Sequence, residues 1–245
     1  MAPGRVVIAG AAGRIGRLLR AHLQGQGVAL LLFDRAPGAD PTVVAADLSR
    51  PELGWAERLR PDDTLVYLAA DPRPDADWPS LERDNLDALL NVLQVAASHD
   101  MPRVVLASSV QTMLGQVGRA PRIGTDLPRA PINLYGVTKC VAERLGEHYA
   151  RHFGLSVIAL RIGWVQEGDN RPGSQMGPIR DQQIWLSNRD CCTGLVSAIW
   201  APADLRFGIF NLVSDNAGMP WDLSENLRLL GWAPSDHYEP QEPVP

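Results

Sequence analysis

The 245-residue sequence predicts an α/β fold with one doubly wound parallel sheet. Short runs of valine, isoleucine and leucine alternate with segments that carry apolar residues at helical spacing. Several of these runs are apolar throughout, which is typical of strands buried on both faces by helices. The chain is 45% apolar and 21% charged, so we expect a packed globular protein.

The predicted elements follow one another along almost the whole chain. Strands are predicted at 5–9, 28–33, 43–46, 64–70, 103–107, 155–161 and 209–213. Helices are predicted at 17–24, 79–98, 179–186 and 189–200, with another that begins near Tyr135 and a last one that ends at 230–234. The tail to Pro245 is predicted to be loosely held.

A glycine-rich turn, GAAGRIG at 10–16, joins the first strand to the first helix. Gly10 suits a tight turn, Gly13 a close approach to a pyrophosphate, and Gly16 a close contact between helix and sheet. Arg14 and Ile15 stand at the helix start, where free amides face the phosphates. A plain strand-to-helix turn is the alternative. The pattern predicts a Rossmann-type sheet that binds a dinucleotide.

An aspartate ends the second predicted strand. Asp34 lies 18 residues after Gly16, where a carboxylate accepts hydrogen bonds from the adenosine ribose hydroxyls of NAD and repels the 2′-phosphate of NADP. Arg35 follows it, and an arginine there is a common means of binding NADP. Because the aspartate itself occupies the strand end, the sequence favours NAD.

The ends of the third and fourth strands are predicted to line the same cofactor site. Asp47 and Leu48 follow the third strand and are predicted to contact the edge of the adenine ring. Alternatively, Asp47 caps the short segment that follows it. Leu68, Ala69 and Ala70 end the fourth strand and are small enough for a ribose to lie across them. The loop that follows lies at the carboxyl edge of the sheet, where ligands of open α/β sheets bind.

Tyr135 and Lys139 are four residues apart at a predicted helix start, so they share one face of that helix. Making a phenolate near pH 7 costs roughly 4 kcal/mol, and an ammonium about 4 Å away offsets roughly that much at an effective dielectric of about 20. Lys139 is the only lysine in the chain. Ser109 ends the fifth strand and points a hydroxyl into the crevice. A tyrosine at the rim beside a solvated lysine is the alternative.

Composition excludes several classes of protein. The net charge of −5 without a basic cluster excludes a nucleic-acid partner. No apolar run approaches about 18 residues, and the first strand begins too early for a signal peptide, so we expect no membrane association. Cys140, Cys191 and Cys192 lack metal-ligand spacing, which predicts reduced packing thiols of a cytoplasmic protein and no metal site. A vicinal disulfide at 191–192 is the alternative.

In order and spacing, these motifs resemble the extended short-chain dehydrogenase/reductase family, also called the NAD-dependent epimerase/dehydratase family. A Leu-Gly-Trp-x-Pro ending at 230–234 adds to the resemblance. It implies one domain, with a dinucleotide-binding and catalytic core at about 1–162 and a small C-terminal substrate-binding region at about 163–245. It also implies that Tyr135 is the general base, that Ser109 orients the same substrate oxygen, and that Lys139 lowers the pKa of Tyr135 and binds the cofactor. Ile162 is expected at the cofactor.

Within that family, the chain is similar to the bacterial NAD-dependent uronate dehydrogenases over 103–109, 134–140, 160–163 and 180–187. The resemblance implies that Arg180, shortly before a Trp-x-Ser, grips the carboxylate of the substrate; a surface arginine at a helix start is the alternative. Val110 and Gln111 stand where those enzymes have Asn-His, and Trp164 where they have a serine. Every such departure lies on the substrate side.

The resemblance implies that the enzyme oxidises a hydroxyl of a hexuronate or a related carboxylate-bearing sugar or polyol. An epimerase or dehydratase that retains NAD and acts on a small sugar or natural-product intermediate is the alternative, and a cofactor-sensing regulator with an inactive site is a third. A homodimer or higher homo-oligomer is implied, through the helix at 79–98 and the helix of Tyr135. Burial against the sheet would explain the apolar faces of those helices equally well.

Overall fold

The computed structural model describes residues 4–241 and confirms the predicted α/β fold. Seven parallel strands form the main sheet: β1 (Arg5–Ala9), β2 (Leu30–Asp34), β3 (Val43–Ala45), β4 (Asp63–Tyr67), β5 (Arg103–Ser109), β6 (Ser156–Ile162) and β7 (Phe207–Leu212). Their order is β3-β2-β1-β4-β5-β6-β7. The strand order reverses between β1 and β4, which opens a crevice at the carboxyl ends of these two strands.

Helices cover both faces of the sheet. They are α1 (Arg14–Gly25), α2 (Trp78–Leu81), α3 (Ala88–Ser98), α4 (Leu134–Phe153), α5 (Ile179–Gln182) and α6 (Asn188–Ile199), and a π-helical turn, Glu82–Asp87, joins α2 to α3. Helices α3 and α4 pack on one face against Val7 and Val104, and α1 and α6 pack on the other against Val6 and Val105. Both faces of the inner strands are buried, so their sequences are apolar without alternation.

The fourth strand ends earlier than the sequence predicts. The apolar run predicts a strand over 64–70, but β4 ends at Tyr67, after which Leu68 donates one more hydrogen bond to Ala9 at 2.9 Å. The side chain of Asn85 then accepts from the amide of Asp71 at 2.7 Å and donates to its carbonyl at 3.2 Å. This contact draws the chain away from the sheet.

The predicted helix over 179–186 is also shorter in the structure, where α5 ends at Gln182. The residues after it cross to the end of β6 instead: the amide of Trp164 donates to Ile184 at 2.7 Å, and that of Leu186 donates to Trp164 at 3.0 Å. The side chain of Asn216 holds two more carbonyls of this segment. These distant contacts outweigh the helical pattern of the local sequence.

The prediction of a loosely held tail is wrong as far as Gln241. Strands β8 (Asp215–Asn216) and β9 (His237–Tyr238) form a second, two-stranded sheet that the sequence analysis missed. The buried side chain of Gln182 donates to the carbonyl of Gln241 at 2.6 Å and accepts from its amide at 2.9 Å and from Tyr238 at 3.1 Å. The residues after 241 lie outside the described part of the chain.

Within residues 4–241, no helix is long and apolar enough to cross a membrane. The three cysteines are free thiols, including the adjacent pair for which a disulfide was the alternative. Burial raises the pKa of the Cys192 thiol to about 11, so this group is protonated near neutral pH.

Candidate active site

The glycine loop lies at the carboxyl end of β1, where side chains would not fit. Gly10 has a φ of +86°, and an added Cβ would lie 2.8 Å from the backbone nitrogen of Ala69. A Cβ on Gly16 would lie 2.2 Å from the carbonyl oxygen of Gly10. Gly13 is the N-cap of α1 and leaves the amides of the first turn without a side-chain cap. This bare cradle at a helix N-terminus fits the pyrophosphate of a dinucleotide.

The side chains of Arg14 and Ile15, at the start of α1, point in different directions. The guanidinium of Arg14 donates to the carbonyl of Val165 and pairs with Glu167, so it joins the glycine loop to the segment after β6. Ile15 is half-buried against the apolar core between α1 and the sheet. Arg14 therefore lies at the edge of the cradle, on the side of the predicted substrate region.

Asp34 is held in one orientation at the end of β2. One carboxylate oxygen accepts from the amide of Ala12 in the glycine loop, and the other accepts from the amide of Ala36, both at 2.9 Å. The carboxylate thus faces the glycine loop, as a ligand for ribose hydroxyls should.

The other predicted cofactor residues lie around this end of the sheet. Asp47 binds the amide and hydroxyl of Ser49, at 3.1 and 2.7 Å, which is the contact of a capping residue, and Leu48 is buried in the core. Leu68, Ala69 and Ala70 are half-buried, and the first two lie directly against Gly10. Ile162 ends β6 beside Ser109 and is buried in the core between the sheet and α6.

The start of α4 places Tyr135 beside the end of β5. Asn133 caps the helix by accepting from the amide of Gly136 at 2.7 Å. Gly136 is required there because a Cβ would lie 2.7 Å from the carbonyl of Gln111, two residues after Ser109. This close contact brings the Tyr135 side chain near the buried Ser109, whose hydroxyl accepts from the amide of Gln111 at 3.2 Å.

Lys139 lies one turn further along α4 and is almost completely buried. Its ammonium donates to the carbonyl of Ala107 at 2.9 Å and lies 5.5 Å from the centroid of the Tyr135 ring. Burial lowers the pKa of Lys139 to about 8. The ammonium is thus directed at the strand end and over the aromatic ring.

The pKa of Tyr135 departs from the direction that the sequence predicts. Burial, first, and the negative charge of Asp71 raise it to about 12, although the nearby hydroxyl of Ser109 acts to lower it. The ammonium of Lys139 bonds to Ala107 and does not offset the burial of the phenol. Tyr135 is therefore protonated near neutral pH in this state of the protein.

Lys139→Met is expected to stabilise the free protein at pH 7, on the order of 1–3 kcal/mol, because burial disfavours the charged amine. The pKa of a lysine is 10.5 in the unfolded chain and about 8 for Lys139 in the folded protein. Between pH 8 and 10.5 the unfolded state therefore binds more protons, so the free energy of unfolding of the wild type rises with pH in this range. The difference between the two proteins should therefore shrink from pH 8 to 10. Denaturant melts at several pH values test this; a difference that grows with pH would contradict it.

The predicted substrate residues are not all brought to the crevice. Val110 is buried in a small apolar cluster. The Gln111 side chain accepts from the amide group of Asn133 at 2.9 Å, so Gln111 supports the start of α4. Trp164 is 40% exposed after β6. The side chain of Arg180 is 67% exposed and lies 3.4 Å from Asp181.

Glu143 is a site residue that the sequence analysis missed. Its fully buried carboxylate accepts from Ser108 at 2.7 Å, from Arg129 at 2.7 Å, and from Arg161 at 2.8 and 3.0 Å. Burial disfavours the charged form, but Arg161, Ser108 and Arg129 hold its pKa below the usual range. The position four residues after Lys139, on the same helix face, was the signal that could have found it.

Comparisons with known proteins agree with this geometry. A family model described as the NAD dependent epimerase/dehydratase family matches residues 6–172. L-arabinose 1-dehydrogenase (NAD(P)(+)) of Haloferax volcanii is 31% identical over 95% of this chain and 97% of its own. Uronate dehydrogenase of Agrobacterium fabrum is 30% identical over 96% of this chain and 86% of its own. The structure of a uronate dehydrogenase variant from Agrobacterium tumefaciens, complexed with NAD, is similar at a TM-score of 0.79 and 29% identity, covering 95% of this chain and 85% of that one.

The doubly wound sheet with a bare glycine cradle places the protein among the dinucleotide-dependent oxidoreductases. The chain belongs to the NAD-dependent epimerase/dehydratase family. It is an NAD-dependent dehydrogenase of the uronate and sugar dehydrogenase type, with NAD as its cofactor. The resemblance that the sequence motifs indicated is thereby confirmed.

Proposed function

We propose that the enzyme oxidises a hydroxyl of a hexuronate or a related carboxylate-bearing sugar, with Tyr135 as the general base. The observation that carries this proposal is that three groups converge at the carboxyl edge of the sheet: Tyr135 lies near Ser109, and the ammonium of Lys139 lies over the tyrosine ring, 5.5 Å from its centroid. A phenol, a hydroxyl and an ammonium that converge at a dinucleotide cradle suit proton removal from an alcohol.

Held in the glycine cradle, NAD would supply the hydride acceptor and a positive charge that favours an ionised phenol nearby. Tyr135 removes the proton of the substrate hydroxyl, and Ser109 binds and orients the same oxygen. The ammonium of Lys139 stabilises the phenolate at pH values below about 8, where it is charged. Because burial keeps Tyr135 protonated in the free enzyme, its ionisation follows the assembly of the complex.

Arg180 supports a carboxylate on the substrate. Its guanidinium lies at the start of α5, on the exposed side of the region after β6, and only its neighbour Asp181 is within salt-bridge distance among the described residues. A planar guanidinium binds a carboxylate through two parallel hydrogen bonds.

Arg180→Gln is expected to raise KM for glucuronate and galacturonate about tenfold or more, because it removes a charge-assisted bond, and to leave KM for arabinose and glucose unchanged. Initial rates of NADH formation over these four sugars and glucose 6-phosphate measure both effects. Arg171→Gln, an exposed arginine in the same region, is the matched control.

The same panel separates the competing functions. A wild-type preference for neutral or phosphorylated sugars would contradict the carboxylate-bearing substrate, although not the dehydrogenase. Product formed without net accumulation of NADH would instead indicate an epimerase that returns the hydride.

We further propose a homodimer formed by α3 and α4. Leu134, Val137 and Val141 stay exposed along one stripe of α4, and Leu90 is exposed on α3. Val141→Glu should therefore yield a monomer at micromolar concentrations, measured by light scattering after gel filtration. Leu227→Glu, at an exposed apolar position outside α3 and α4, is the control that should leave the oligomer intact; a wild-type monomer would contradict the proposal.

The division of labour within the chain is also a proposal. Residues 1–162 carry the proposed cofactor and catalytic groups, and 163–245 supply the substrate side, although α6 and β7 from this second part complete the sheet and its helical layer. A cytoplasmic location stays a prediction from the reduced thiols.

A further inference from the structure

Arg35 is the residue of the cofactor region with the least obvious role. It follows Asp34 at the end of β2, where an arginine would be expected to bind the 2′-phosphate of NADP. In the structure its guanidinium pairs with Asp84. The Arg35 side chain is 53% exposed, so burial does not force this pairing.

Asp84 is built to hold that guanidinium. It lies in the π-helical turn between α2 and α3, where its backbone carbonyl accepts from the buried hydroxyl of Tyr67 at the end of β4. Its carboxylate is only 10% exposed and also binds Arg83, at 2.7 and 3.0 Å. Although burial acts against ionisation, the two arginines hold the pKa of Asp84 below its usual range.

The cluster lies at the adenosine end of the predicted cofactor site. Arg35 is next to Asp34, which faces the glycine loop, and Arg83 is close enough to Asp47 for that charge to raise its pKa. Four carboxylates, Asp34, Asp47, Asp77 and Asp84, and two guanidinium groups give this region a net charge of −2. A 2′-phosphate would add roughly two more negative charges to it.

We propose that Asp84 is a specificity-determining residue that makes the enzyme prefer NAD by sequestering Arg35. Asp84 withholds from a 2′-phosphate the guanidinium best placed to bind it. Removing the charge of Asp84 frees Arg35 and makes the region less negative, so that a phosphate monoester beside Asp34 gains a bidentate partner. Selectivity for the cofactor thus depends on a residue 50 positions from the carboxylate that faces the ribose.

Isothermal titration calorimetry with NAD, NADP and 2′,5′-ADP tests this without turnover. Asp84→Asn keeps the shape of the side chain and should raise affinity for NADP relative to NAD by about tenfold or more, the value of one charge-assisted bond. Adding Arg35→Gln to that variant should remove the gain. Arg83→Gln removes the other arginine that binds the Asp84 carboxylate. It should give no gain in NADP affinity, because the pair between Arg35 and Asp84 stays in place.

If Asp84→Asn does not fold, Arg35→Gln alone still tests the proposal. Arg35 is half exposed, so its substitution should not prevent folding. A sequestered Arg35 donates no bond to NADP, so this variant should bind NADP as Arg83→Gln does, which removes the same charge from the same carboxylate. Three results would overturn the proposal: an unchanged affinity ratio in a folded Asp84→Asn, a gain that persists in the double variant, or a loss of NADP affinity in Arg35→Gln that exceeds the loss in Arg83→Gln.

Discussion

Tyr135→Phe is expected to lower turnover by about 10²–10⁴-fold while NAD affinity stays nearly unchanged. The substitution removes only the phenol hydroxyl, and the ring keeps its place beneath the ammonium of Lys139. Single-turnover formation of NADH reports the chemical step, and fluorescence titration with NAD reports binding.

Tyr149→Phe is the matched control for this experiment. Tyr149 lies on the same helix, buried against α3 and the sheet and stacked on Phe153, far from the carboxyl edge. It should therefore keep nearly full activity. Equal rates for Tyr135→Phe and the wild type would exclude Tyr135 as the base.

A second signature of the same role is the pH profile. Because burial and Asp71 raise the pKa of Tyr135 in the free protein, more of the phenolate forms as pH rises, and the rate should rise with it over the neutral to alkaline range. The rise should be absent from the residual rate of Tyr135→Phe. Asp71→Asn should shift the profile toward lower pH, because it removes a negative charge that disfavours the phenolate.

Most of the fold follows from local sequence, because a parallel sheet covered on both faces imposes apolar runs and leaves few other solutions. The failures share one cause. Strand β4 stops where Asn85 holds Asp71, helix α5 stops where its continuation bonds to Trp164, and the tail is ordered by Gln182. In each case the end of the element is set by a contact with a polar side chain or a strand end that is distant in sequence. Local sequence patterns do not contain such contacts.

The site divides in the same way. The sequence places Ser109, Tyr135 and Lys139 together because strand ends and helix starts meet at one edge of a parallel sheet. It does not give the direction of the Tyr135 pKa shift, which depends on burial and on Asp71 in a different loop. Neither does it show that Arg35 turns to Asp84, since that contact joins segments on either side of β3 and β4.

Glu143 is the clearest case of a residue whose role only the tertiary structure shows, and its substitution should have the largest effect on stability. Its carboxylate joins α4 to β5 through Ser108, to β6 through Arg161, and to the loop that precedes α4 through Arg129. Glu143→Gln should lower the free energy of unfolding by about 3–5 kcal/mol, because it leaves Arg161 charged and buried without a counterion.

Thermal and urea unfolding measure that loss, and Glu147→Gln one turn later is the control, since its pairs with Arg144 and Arg151 lie at the surface and are worth about 0–1 kcal/mol. The double variant Glu143→Met/Arg161→Met should regain part of the stability, because no buried charge is left unpaired. If Glu143→Gln unfolded like the wild type, the ion pair would not be what fixes α4 to the sheet. A folded Glu143→Gln that loses turnover but keeps NAD affinity would show instead that the carboxylate positions Tyr135 against Ser109.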